Sequence, residues 1–222
     1  MRAWRVRPLG GPRLPTVVRM WKSNPDGGPE RLVALADGVF AIAITLLVLD
    51  FYVPRGLDSA QYHAALHELI PNFGAYALSV LVLGVFWREH RRIFGFVRQI
   101  DGQVITLSIV SLSVAALVPF PTKLIAEYGR EPVSVAIYAG AVAALGAAHL
   151  ALILLLARRP WLRGEAAPPE GFRLFAADLA VTVVVFLLSV PLALAVGAAA
   201  MWLWLAMAPV KVVLGLRADR AR

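Results

Sequence analysis

From Leu174 to Val210 the chain is almost wholly apolar. As one α-helix this stretch would be about 55 Å long, at about 1.5 Å of rise per residue. The hydrocarbon core of a bilayer is about 30 Å thick, so the stretch is expected to fold back on itself. Pro191 and Gly197 are the places for that reversal, because proline removes a backbone donor and glycine tolerates a turn. Four earlier apolar runs precede it, and the pattern predicts six helices at about 31–53, 68–92, 102–126, 132–157, 172–190 and 193–215. The expected class is an all-α integral membrane protein. Composition agrees: of 222 residues, 59% are hydrophobic and only 16% charged, whereas a soluble domain of this length has about a quarter charged.

The basic residues give an independent reading of topology. Nineteen of the 22 Lys and Arg fall in the N-terminal stretch through Arg31, in the loops after the second and fourth helices, and in the tail. The opposite loops hold only Arg55, Lys123 and Arg130. The positive-inside rule then puts both termini in the cytoplasm of a multi-pass cell-membrane protein, which requires an even number of spans. The net charge of +8 lies in short clusters between apolar runs, so it marks topology and not a nucleic-acid partner. The absence of cysteine excludes disulfides, zinc–thiolate sites and thiol catalysis. Residues 1–30 are basic and rich in Pro and Gly without the apolar core of a secretory signal. They read as a flexible cytoplasmic arm, or in part as a misassigned start before Met20. Residues 31–217 form the expected six-helix domain, and 218–222 a short tail.

The first helix, "RLVALADGVFAIAITLLVLD", carries charge in unusual places. At about 100° per residue, Leu35, Gly38, Ile42, Thr45, Leu46 and Leu49 share one stripe. That stripe is open to two readings: a helix-packing face, or a ring of Ile and Leu with a Thr hydroxyl around an axis built from several copies. Asp37 is six positions after Arg31, about 120° around the helix, so the two are not a neutralising pair along it. A carboxylate at that depth needs hydration or a donor from another element. In "FWREHRRIF" of the second helix, Trp87 and His90 lie three apart at the matching depth, and an indole N–H and an imidazole can serve as donors.

These residues resemble a known family. The first helix is similar to the signature of bacterial relatives of lysosomal transmembrane protein one-seventy-five, a potassium channel family. That signature is an Arg, three residues, Phe-Ser-Asp, and a Gly-Val-Phe-Ala-Ile-Ala-Ile-Thr-like run. The Trp-x-x-His of "WREH", the aromatic of "RRIF", the "LVPFPT" ending the third helix, and Tyr76 and Ser79 also match, in order. The resemblance implies a homotetramer of six-helix subunits with the first helices lining a central pore for potassium ions, without a carbonyl selectivity filter or a cofactor. By position it implies Ile42 as the narrowest ring, Leu46 and Leu49 as further rings, and Thr45 as the hydroxyl ring. Arg31, Asp37, Trp87 and His90 would be the supporting polar network. The chain departs from the family at Leu35-Ala36, where Phe-Ser is usual, and at Ser108, where Asn is usual.

The remaining polar residues carry weaker signals. His63 and His67 have the i,i+4 spacing that can bind a metal, but solvated side chains near a helix start are the plainer reading, and no metal site is expected. His149, among alanines in the fourth helix, is either a proton relay or a hydrogen-bonded packing residue. Ala139, Gly140, Ala143 and Ala144 suggest a close-packing face. No phosphate loop, serine elbow or hydrolytic carboxylate pair is present, so no enzyme is expected. The expected function is a potassium-permeable channel, with a secondary or proton-coupled transporter as the alternative and a non-conducting scaffold behind both.

Overall fold

The computed structural model describes residues 28–164 and 169–204, all helical apart from turns and one isolated antiparallel bridge between Val97 and Arg163. Helix α1 spans Pro29–Leu46 and tightens into a 3-10 turn over Leu47–Asp50. Pro29 opens it, where its missing N–H costs nothing, and Glu30 faces the positive end of the helix dipole. Helix α2 (Ser59–Glu68) begins with a reciprocal cap. The Gln61 backbone N–H donates to Asp58 Oδ1 at 2.8 Å, and the Asp58 N–H donates to Gln61 Oε1 at 3.1 Å. One residue later α3 begins (Ile70–Phe94). The first inter-helix loop therefore contains a helix that the apolar pattern does not reveal, and it carries His63 and His67.

Asp101 caps α4 (Gly102–Leu117) by accepting from the N–H groups of Gln103 and Val104. The expected third helix is divided in two. After Val118 the chain restarts as α5 (Pro119–Tyr128), because Pro119 and Pro121 cannot donate to the preceding turn. Helix α6 (Pro132–Arg158) and α7 (Pro169–Val196) follow. The predicted break at Pro191 does not occur: α7 continues through it and ends at Val196. The reversal sits at Gly197, whose φ of +63° is the left-handed conformation that favours glycine. A 3-10 turn (Gly197–Met201) follows, and Trp204 comes back alongside α7, donating its indole N–H to Ser189 Oγ at 3.0 Å. The expected sixth helix thus loses its first residues to α7, and its stretch from 205 to 215 lies outside the described residues, as do 1–27 and the tail.

Among the described residues five helices are long and apolar enough to cross a membrane: Pro29–Asp50, Ser59–Phe94, Gly102–Tyr128, Pro132–Arg158 and Phe172–Trp204. Helix α6 is the hub, packed along α7 and also against α3, α4 and α5, while α1 leans on α3 and α4. Lipid tails are as apolar as leucine, so such packing depends on close approach at small residues. At Gly146 the approach is close: a Cβ there would lie 3.1 Å from Val183 Cγ2 on α7. Of the small residues expected to form a packing face, Ala139 and Ala143 are buried, whereas Ala144 is exposed.

The core has two apolar halves. One gathers Phe40, Leu47, Leu83, Phe86, Leu145 and Trp204, and the other Leu32, Ile93, Phe94, Leu152, Leu156 and Phe175. His90 and His149, both fully buried, lie among residues of these two groups. At the end of the molecule near Phe94, two loops are tied by backbone bonds. Arg98 N–H donates to the Leu162 carbonyl at 2.8 Å, and Gly164 N–H to that of Phe96 at 3.0 Å. An Arg159–Asp101 ion pair adds to this junction.

Candidate pore helix and its polar support

Helix α1 is divided lengthwise. Leu32, Ala36, Phe40, Ala43 and Leu47 are buried. At 100° per residue these five side chains make one stripe, and the two alanines allow α1 to lie close to its neighbours. The other side of the helix bears Leu35, Gly38, Ile42, Thr45, Leu46 and Leu49, all exposed in the single chain, with Ile42 at 60% and Leu49 at 71%. The Thr45 hydroxyl donates to the Ile42 carbonyl at 2.9 Å. Its proton is held by its own helix, so what Thr45 offers outward is an oxygen with lone pairs.

Asp37 lies at the margin between the two sides. Trp87 of α3 donates its indole N–H to Asp37 Oδ1 at 2.7 Å, and the Arg91 guanidinium stands 5.3 Å from the Trp87 ring centre. A positive charge over the indole face is attracted by the ring quadrupole. Asp37, Glu30, Val33, Arg91 and Phe94 share the lining of an open cleft of about 370 Å³ between α1 and the end of α3.

His90 shares the helix with Trp87 and does not hydrogen-bond Asp37. It is fully buried, stacked on Phe94 with ring centres 4.8 Å apart, with Phe40 of α1 at 6.3 Å and His149 at 5.4 Å. Arg31 occupies the first turn of α1 with its side chain exposed. Ser108, in α4, donates to its own helix at the Val104 carbonyl, 2.8 Å away.

A second polar group holds the opposite end. Ser79, Thr122 and Tyr138 are buried, with Ser79 Oγ 2.7 Å from Thr122 Oγ1 and 3.1 Å from the Tyr138 hydroxyl. Thr122 donates to the Val118 carbonyl at 2.8 Å. Its single proton is thereby used, so Ser79 donates to Thr122 and Tyr138 donates to Ser79. One directed chain links α6, α3 and α5. Nearby, Lys123 Nζ is 3.6 Å from Asp50 Oδ1 and ties the end of α1 to α5. The sequence reading missed Tyr138, although a tyrosine within an apolar span needs a partner for its hydroxyl. Among the described residues no three His, Asp or Glu side chains cluster as metal ligands.

Comparison with known proteins gives this arrangement a context. The family described as endosomal/lysosomal potassium channel TMEM175 matches residues 31–119, from the first turn of α1 to the start of α5. A potassium channel of Streptomyces collinus is 36% identical over 173 residues, covering 73% of this chain and 84% of the relative. The chain belongs to the TMEM175 family. A potassium channel of Chamaesiphon minutus is 39% identical over 115 residues, half of this chain and 57% of that relative. The crystal structure of a potassium-selective TMEM175 homolog from Chamaesiphon minutus superposes with a TM-score of 0.72 at 26% identity, over 86% of this chain and 98% of that one. TMEM175 relatives are ion channels, not enzymes, and this family member is likewise a multi-pass membrane protein.

Proposed function

We propose that this chain is one subunit of a potassium-permeable channel, a homotetramer in the cell membrane with both termini cytoplasmic. The exposed side of α1 faces the central axis, with Ile42, Leu46 and Leu49 as apolar rings and Thr45 as an oxygen ring. The observation that carries the reading is the lengthwise division of α1. Its buried stripe packs toward α3 and α4, and the opposite side is an uncharged face interrupted by one hydroxyl. Relatives named potassium channels support the choice of ion.

Narrow apolar rings impede ions by disfavouring water in the neck, so conduction requires the α1 helices to spread or rotate until the neck wets. No carbonyl filter takes part. Potassium is then favoured because it sheds its hydration shell at lower cost than sodium, with the Thr45 oxygens replacing part of that shell. Asp37, Trp87, His90 and Arg31 act from behind, holding α1 in place without binding the ion in transit.

The test is potassium flux from liposomes holding the purified protein, with sodium substitution and an Ile42→Asn comparison. Potassium-favouring flux that rises in Ile42→Asn supports the reading. Equal fluxes in the two proteins would remove the constriction from α1.

A further inference from the structure

His90 of α3 and His149 of α6 are each fully buried, yet three of their four ring nitrogens have no hydrogen-bond partner: both of His90 and Nε2 of His149. Such atoms are costly deep in a protein, and groups left without partners there call for an explanation. The fourth nitrogen settles the proton count. His149 Nδ1 lies 2.9 Å from the Leu145 carbonyl, an obligate acceptor, with the Ser111 hydroxyl at 3.3 Å. Nδ1 therefore carries the proton in the neutral ring, and Nε2 is a bare acceptor. A neutral His90 has one N–H to give. One side lacks a donor and the other holds a donor without use.

The spacing suits a direct bond between them. The ring centres are 5.4 Å apart at an interplanar angle of 78°. Two imidazoles joined N–H to N at about 3 Å, with each nitrogen about 1.1 Å from its ring centre, stand about 5.2 Å apart. The ring separation leaves room for an N–H of His90 to reach His149 Nε2.

We infer that His149 is a positioning residue of the channel, accepting a hydrogen bond from His90 and so fixing α3 against α6. His90 is one helical turn from Trp87, which holds Asp37 on α1, and its ring also faces Phe40 on the buried side of α1. The pair fixes the depth and rotation of the α3 end on which α1 rests. The pairing stands on the subunit's geometry alone, whereas its effect on conduction rests on the channel reading.

The chain has four histidines, so the full-length protein labelled with 15N-histidine gives a short, assignable spectrum. The expected result is a nitrogen–nitrogen coupling across a hydrogen bond between the His90 and His149 rings, abolished in both His90→Gln and His149→Gln. Two buried rings without mutual coupling overturn the pair. For its consequence, potassium flux is compared among wild type, His149→Ala and His149→Gln, each checked for an intact oligomer. Flux should change by about twofold to thirtyfold in His149→Ala, with recovery in His149→Gln, whose amide oxygen can accept from His90. Wild-type flux in an intact His149→Ala oligomer overturns the positioning role. If the wild-type chain conducts nothing, the channel reading and the positioning role fail together, while the NMR result still decides the pair.

Discussion

The indole of Trp87 and the carboxylate of Asp37 meet at 2.7 Å across the α1–α3 contact, near the edge of the face that α1 leaves uncovered. A hydrogen bond to an ionised acceptor is stronger than a neutral one, but between membrane helices even good bonds contribute only about 0.6 kcal/mol on average, with about 1.7 at most. Trp87→Phe and Asp37→Ala should each destabilise the protein by about 1 kcal/mol, read as earlier thermal unfolding in mild detergent. Asp37→Asn keeps an acceptor oxygen and should lose less. Asp37→Ala should also weaken the oligomer on size exclusion; an unchanged assembly would count against Asp37 as an anchor.

The approach of α6 to α7 at Gly146 leaves little room for a side chain. Gly146→Leu forces atoms into Val183 and Phe86, an overpacking expected to cost about 1–3 kcal/mol. Gly146→Leu combined with Val183→Ala should recover part of the loss. The double-mutant cycle in thermal unfolding checks this, and strict additivity would mean that the two positions do not touch.

The directed chain from Tyr138 through Ser79 to Thr122 predicts an order of severity. Tyr138→Phe removes the terminal donor and leaves the Ser79–Thr122 bond in place. Ser79→Ala leaves the Tyr138 hydroxyl buried without its acceptor and should therefore cost more, about 1–3 kcal/mol. Equal losses, or a larger one for Tyr138→Phe, would reverse the assigned direction.

Pro191 and Gly197 should respond in opposite ways. Because α7 runs through Pro191, Pro191→Ala removes a residue disfavoured in helix interiors and should be neutral or stabilising. Gly197→Ala forces a Cβ into left-handed backbone at about 1–2 kcal/mol. Comparative unfolding of the two variants decides it.

Thr45→Val should leave the fold nearly untouched, because the hydroxyl bonds only to its own helix and is exposed. Under the proposed function it should nonetheless lower the potassium-to-sodium flux ratio in liposomes. An unaltered ratio would mean that the Thr45 oxygen does not face the ion path.

Much of this architecture can be read from residue order, for identifiable reasons. Long apolar runs mark the spans, and Pro29, Asp101 and Pro132 stand at helix starts for local reasons, the prolines through a missing N–H and Asp101 through its side chain. Depth alone puts Asp37 and Trp87 at one level, where the structure joins them. Less visible is anything set by contacts between helices. Trp87 and His90 share a face by spacing, yet one reaches the edge of α1 and the other turns inward, because α6 stands behind α3 and no sequence period records that. Tyr138 and Ser79 are 59 residues apart, and only the packing of α6 against α3 brings them together. The Pro191 break failed for a related reason. In a bundle the neighbours tolerate a missing N–H, while a positive φ has no substitute.

The Gly197 reversal also bears on how the chain is made. Its two arms are joined by Ser189 and Trp204, fifteen residues apart. During synthesis α7 enters the bilayer as an apolar rod whose Ser189 hydroxyl can meet only its own backbone, through the Val185 carbonyl. The indole that covers it arrives only after the bend has left the ribosome. Closure at Gly197 therefore follows the synthesis of α7 and sets Trp204 against Tyr138 of α6, so a defect at this bend acts on a subunit whose first helix has already been made.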